Sequence, residues 1–158
     1  MNLADEPLWL QQWVAACQAN IRSAEMDALF AAGGRADVVT MAKAAAVFVR
    51  AALPYRFDPH AHKRIEALGA ARRQGFGACG EGSAFVAAAA LRADVAGTAR
   101  VSLCYEQHPS SATYAHVAVD VGPHRVDPYP DASLRVSSCS SARDVRELLR
   151  WPVSATHT

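Results

Sequence analysis

The chain is short of lysine. Only Lys43 and Lys63 occur among its 158 residues, and every other basic side chain apart from histidine is arginine. It also lacks charge of one sign, because 16 Lys and Arg oppose 15 Asp and Glu to leave a net +1. That balance excludes a general basic field for nucleic acid and an acidic or membrane-surface bias. No apolar run approaches a membrane span, and Arg50 and Arg92 interrupt the longest ones. The first residues include Asp5 and Glu6 rather than a basic stretch followed by an apolar one, so no secretory signal is expected. Cysteines stand at 17, 79, 104 and 139, with no CxxC and no metal-like spacing. Reduced thiols in a cytoplasmic compartment are therefore expected. His60-Ala61-His62, His108 and His124 make no Cys/His cluster, so neither a metal nor another cofactor is expected.

What is present is apolar. Hydrophobic residues make up 51% of the chain, which excludes a disordered polymer. Its length suits one domain, able to bury roughly 70% of the surface its unfolded chain exposes without a metal or disulfide staple. Alanine supplies much of the apolar count, with runs at Ala44-Ala45-Ala46 and Ala87 to Ala90.

Helical periodicity comes first. Leu10, Trp13, Val14, Cys17 and Ile21 predict a helix over roughly 7–21, with Pro7 in its first turn. Met26, Leu29 and Phe30 predict a shorter one that Gly33-Gly34 stops. Val38 to Leu53 carries a second apolar stripe behind Asp37 as N-cap, and Pro54 ends it. Asp58-Pro59 with Ile65 and Leu68 suggests a further short helix. From Cys79 to about Arg92 the alanine-rich stretch reads as a slim helix suited to burial at the centre.

After Gly97 the period changes to two. Val101, Leu103 and Tyr105 predict one strand, and Ala115, Val117, Val119 and Val121 the apolar face of a second. Gly122-Pro123 turns the chain into a third over His124 to Asp127. Ser141 to Leu149 reads as a final helix capped by Ser140 or Ser141. Helices followed by a meander of strands make the fold class α+β.

Three residues on this framework have the types that thiol catalysis needs, in the order Cys79, His116, Asp127. A free thiol has a pKa near 8.5, so a nucleophilic cysteine needs something that favours its thiolate. Cys79 opens a helix, where free N–H groups and partial positive charge favour an anion. If Gly122-Pro123 is a two-residue loop, 121 faces 124, 119 faces 126, and 118 faces 127. Asp127 then shares a sheet face with Ala118 and so with His116, about 7–8 Å away on the diagonal. Asp120 lies about 13 Å along the strand from His116 and is the poorer partner. The valine face of the second strand is taken as core, which leaves the His116 face for the helix that starts at Cys79. Oxyanion donors would be the backbone N–H of Cys79 or Gly80, or the side chain of Gln74.

The stretch Gly77-Ala78-Cys79-Gly80-Glu81-Gly82-Ser83-Ala84, followed by Tyr114-Ala115-His116-Val117-Ala118-Val119 and Val126-Asp127-Pro128, resembles the transglutaminase-like superfamily in its small bacterial and phage form. The likeness covers roughly residues 40–131. It implies a papain-like core in which N-terminal helices and a central nucleophile helix pack on an antiparallel sheet, with Cys79, His116 and Asp127 as a thiol triad. The chain departs from the family where Ala78 and Gly80-Glu81 flank the cysteine instead of an aspartate-rich D-C-D-D. It also lacks the H-x-W that many members carry.

The whole of 1–158 is accordingly expected to be one transglutaminase-like domain. Its core spans about 37–136, with a helical extension over 1–36 and a short helix and tail over 137–158. The expected activity is that of a cysteine-dependent acyl enzyme, a peptidase or amidase with acyl transfer to an amine as its variant outcome, acting on a peptide or protein substrate. The alternative is a non-catalytic binding or structural module of the same fold, for instance in a phage particle. Neither nucleic acid nor membrane is expected as a partner. Trp9 and Trp13 read as core or a partner groove, Cys17 as core, Cys104 as half-exposed or near the site, and Cys139 as loop.

Overall fold

The computed structural model describes residues 6–34, 36–56, 65–75, 77–107, 115–130 and 141–150. The fold is α+β, with six helices and four strands among the described residues. Helices α1 (Glu6–Ile21), α2 (Ala24–Gly33), α3 (Val38–Ala52), α4 (Leu68–Gln74) and α5 (Cys79–Ala93) come first. Strands β1 (Val101–Gln107), β2 (Ala115–Val121), β3 (His124–Val126) and β4 (Ser141–Asp144) follow, and α6 (Val145–Leu149) ends the described chain. The sheet is antiparallel throughout, in the order β3-β2-β1-β4.

Local chemistry sets the helix ends. Asp37 caps α3 by accepting the Thr40 N–H at 2.7 Å, and Ser23 caps α2 by accepting the Met26 N–H at 3.1 Å. The cap of α4 is tertiary instead. Ala67 has no side-chain acceptor to offer, and Asn20 of α1, fully buried, accepts the Leu68 N–H at 3.0 Å in its place. Asp58-Pro59, expected to start a short helix with Ile65 and Leu68, lies outside the described residues, and α4 begins only at Leu68, leaving Ile65 before it.

Helix α5 is the axis of the molecule. Every residue from Gly80 to Ala90 is buried, so the rod is enclosed on all sides by α1, α3 and the β1–β2 strands. Alanine on most of its surface lets these neighbours approach closely, because the side chains that would hold them apart are absent. One polar clamp ties α1 to it. The Trp13 indole N–H, fully buried, donates to Ser83 Oγ at 3.0 Å, and the Ser83 hydroxyl donates to the Gly80 carbonyl at 3.1 Å. Trp9 and Trp13 are thus core residues, and so is Cys17.

Two expectations fail here. Ser141 to Asp144 is not helix but the edge strand β4, paired antiparallel with β1, and α6 begins only at Val145. The tetrapeptide Ser-Ala-Arg-Asp has no apolar alternation of its own. Pairing with the open edge of β1 decides its conformation, and Asp144 caps α6 instead of Ser140 or Ser141. The placement of α5 also differs. Val117, Val119 and Val121 belong to the same apolar cluster as Ala84 to Ala90, so the body of the helix lies over the valine face. Only its beginning meets His116.

Candidate active site

The hairpin between β2 and β3 has the register that a two-residue loop demands. Val121 faces His124, Asp120 faces Arg125 and Val119 faces Val126, with Gly122 at φ 58 in the turn. Asp127 follows directly after β3, in reach of His116. His116 Nε2 and Asp127 Oδ2 are 2.5 Å apart. The other carboxylate oxygen of Asp127, Oδ1, accepts the Tyr129 N–H at 2.9 Å, which fixes the rotation of the carboxylate.

The third member arrives from α5. The Cys79 thiol, half-buried and free, is a hydrogen-bonding neighbour of the His116 ring. Because Asp127 occupies Nε2, Nδ1 is the ring nitrogen left for sulfur. Two glycines bring the helix end this close. A side chain at Gly77 would collide with Leu53, and a Cβ at Gly82 would sit 2.7 Å from Pro128 Cγ and 3.0 Å from Tyr129 Cε2. The turn that carries Asp127 therefore rests directly on the first turns of α5. The Tyr129 hydroxyl anchors that turn from the other side by donating to the Leu53 carbonyl at 2.5 Å. Gly77 N–H donates to the Pro54 carbonyl at 3.1 Å and Arg56 N–H to the Gly77 carbonyl at 2.8 Å, which ties down the approach to Cys79.

The electrostatics of His116 follow from these neighbours. The residue is 1% exposed, and burial opposes its charge, but hydrogen bonding to Asp127 and to Cys79 outweighs burial and pushes the imidazole up to about 10. Burial, with the charges of Glu81 and Cys79, also pushes the Tyr129 hydroxyl up, so it stays a neutral donor. At the start of α5 the N-cap is Ala78, which makes no side-chain hydrogen bond. The first-turn amides, Gly80 included, are therefore not consumed by a side-chain cap and suit a developing oxyanion. Gln74, the other oxyanion candidate, is exposed at the end of α4 and makes no hydrogen bond to Cys79 among the described residues.

Comparison of the chain with protein-family models, with curated proteins and with solved structures finds no match. The site is thus read on its own geometry.

Two residues that the sequence analysis did not single out belong to it. Glu106 lies directly across from His116 in the β1–β2 register and is 8% exposed. Arg125 forms ion pairs with Glu106 and with Asp120, the latter at 2.5 Å. Asp120, the competitor for His116, is thus occupied elsewhere. Donor atoms of Glu106, His116 and Asp127 all lie within 4.8 Å of one another, a set of the kind that holds a cation. A metal would have to displace both the Arg125 guanidinium and a strongly held imidazole proton. Of the other histidines considered as ligands, His124 is exposed, and His60, His62 and His108 lie outside the described residues.

The expectation of reduced thiols holds for Cys17 and Cys79 and fails at Cys104. Cys104 is fully buried and disulfide-bonded, and its Sγ lies 3.1 Å from Arg125 Nη2. Residue spacing alone cannot reveal such a pairing, because the fold decides which sulfurs meet. Cys139 lies outside the described residues. No helix among the described residues is long and apolar enough to cross a membrane.

Proposed function

We propose that this chain is a cysteine-dependent acyl enzyme of transglutaminase-like, papain-like type, cleaving an amide in a peptide or protein. One observation carries the reading: a single buried imidazole has both a free thiol and a carboxylate as hydrogen-bonding partners. In this reading the Cys79 thiolate attacks the acyl carbon and His116 hands its proton to the leaving amine. Asp127 holds the ring in the tautomer and orientation that this requires. The tetrahedral oxyanion is received by the N–H of Cys79 or Gly80 at the start of α5. Water then releases the acyl group, and an amine in the same position would give acyl transfer.

Iodoacetamide labelling of the native protein, with the modified residue mapped, tests this. Cys79 is expected to react at neutral pH while Cys17, buried and pushed up to about 12, does not. His116→Ala is expected to slow the Cys79 reaction at pH 7 by about tenfold or more. A Cys79 that alkylates no faster in the native chain than in the His116→Ala variant would overturn the enzyme and favour a binding module of the same fold.

A further inference from the structure

A thiol–imidazole–carboxylate set needs one acid, yet here a second buried carboxylate stands beside the ring. Glu106 faces His116 across the β1–β2 ladder, and its oxygen lies within 4.8 Å of both the ring nitrogen and the Asp127 carboxylate. Bare, such a group would hold a proton on the imidazole more tightly. It is not bare. Arg125 rises from β3 on the same face, its Nη1 on Glu106, its Nε 2.5 Å from Asp120 Oδ1, and its Nη2 3.1 Å from Cys104 Sγ. A planar guanidinium held on three partners from β1 and β2 has little freedom to leave.

The geometry points to Glu106 as a positioning residue for His116, with Arg125 setting how much of its charge reaches the ring. This rests on the reading of His116 as the base of Cys79, and it describes how the readiness of that base is controlled. The charged and titratable groups around the ring are Cys79 from α5, Glu106 from β1 and Asp127 beyond β3. Arg125 on β3 pairs with Glu106 and with Asp120 on β2, and its charge also interacts with Asp127. An imidazolium that held its proton more firmly still would hand it less readily to the leaving amine. Neutralising Glu106 with Arg125 keeps the acid in place while sparing the imidazole its full charge.

The test is a histidine ¹³Cε1 NMR titration in the Cys79→Ala chain, where no thiolate contributes. Arg125→Met is expected to raise the proton affinity of His116 about tenfold, as Glu106 is uncovered. In the Glu106→Gln background the same change is expected to have less than half that effect on the titration midpoint. An Arg125→Met effect of equal size with and without Glu106 would overturn the proposal, since Arg125 would then act on the ring directly or through Asp127. Arg125→Lys, which keeps the charge but cannot span three partners, replaces Arg125→Met should the latter not fold; it is expected to shift the midpoint in the same direction by a smaller amount, again dependent on Glu106. No shift in that pair of measurements would also overturn it. Labelling of Cys79 in the native chain reports separately on the thiol reading, so failure of one leaves the other readable.

Discussion

Replacing Asp127 by Asn keeps its shape and removes its charge, and the consequence for His116 can be worked from the structure. Lifting the imidazole from 6.5 to about 10 corresponds to about 5 kcal/mol of preference for the charged ring, reached against the opposing effect of burial. A hydrogen bond to a charged group contributes about 1.5–3 kcal/mol. At about 1.4 kcal/mol per pH unit, Asp127→Asn should lower the His116 midpoint by about one to two units. A ¹³Cε1 histidine titration from about pH 5 to 11 reads this directly. Stability offers a second readout. The folded value lies above the unfolded one, so the contribution of His116 is complete below about 6.5 and is lost as the pH climbs through about 10. Urea unfolding at both ends of that window should show the native chain losing stability with rising pH, and Asp127→Asn losing less. A native His116 that titrates near 6.5, or a variant that titrates where the native chain does, would refute the reasoning.

Other perturbations give equally definite outcomes. Ser83→Ala leaves the buried Trp13 indole N–H without its acceptor and should cost about 1–3 kcal/mol, lowering Tm by several degrees; an unchanged melt would show that the clamp contributes nothing. Gly82→Ala inserts a methyl group against Pro128 and Tyr129 and should cost about 1–3 kcal/mol by overpacking. Because it moves the Asp127 turn, it should also slow Cys79 alkylation, which Ser83→Ala should not do to the same degree. Asn20→Ala removes the borrowed cap of α4 and should destabilise by about 1–3 kcal/mol, measured by urea unfolding.

Much of this was legible in the sequence where a local rule suffices. Period 3.6 located α1 and α3, the alanine-rich stretch located α5, and Asp37 announced the cap of α3. The two-residue turn at Gly122-Pro123 fixed the β2–β3 register, and with it the meeting of His116 and Asp127. What escaped depends on contacts between distant segments. Ser141–Asp144 becomes a strand only because β1 leaves an edge to pair with. Glu106 pairs with His116 across a connection whose length leaves the register of β1 against β2 open to several choices. The lone arginine facing Asp120 was the available signal for the charge network: a guanidinium on the same sheet face as His116 must find acids, and Glu106 and Asp120 are the ones at hand.

The chain order of the three groups has a bearing on synthesis. Translation delivers the sulfur first, the imidazole next and the acid last, on segments that come into register only when the β2–β3 hairpin closes beside the start of α5. Until that closure a growing polypeptide carries only an ordinary thiol. Under the proposed function its reactivity is switched on by completion of the sheet, which would spare a nascent chain from attacking itself or its neighbours on the ribosome.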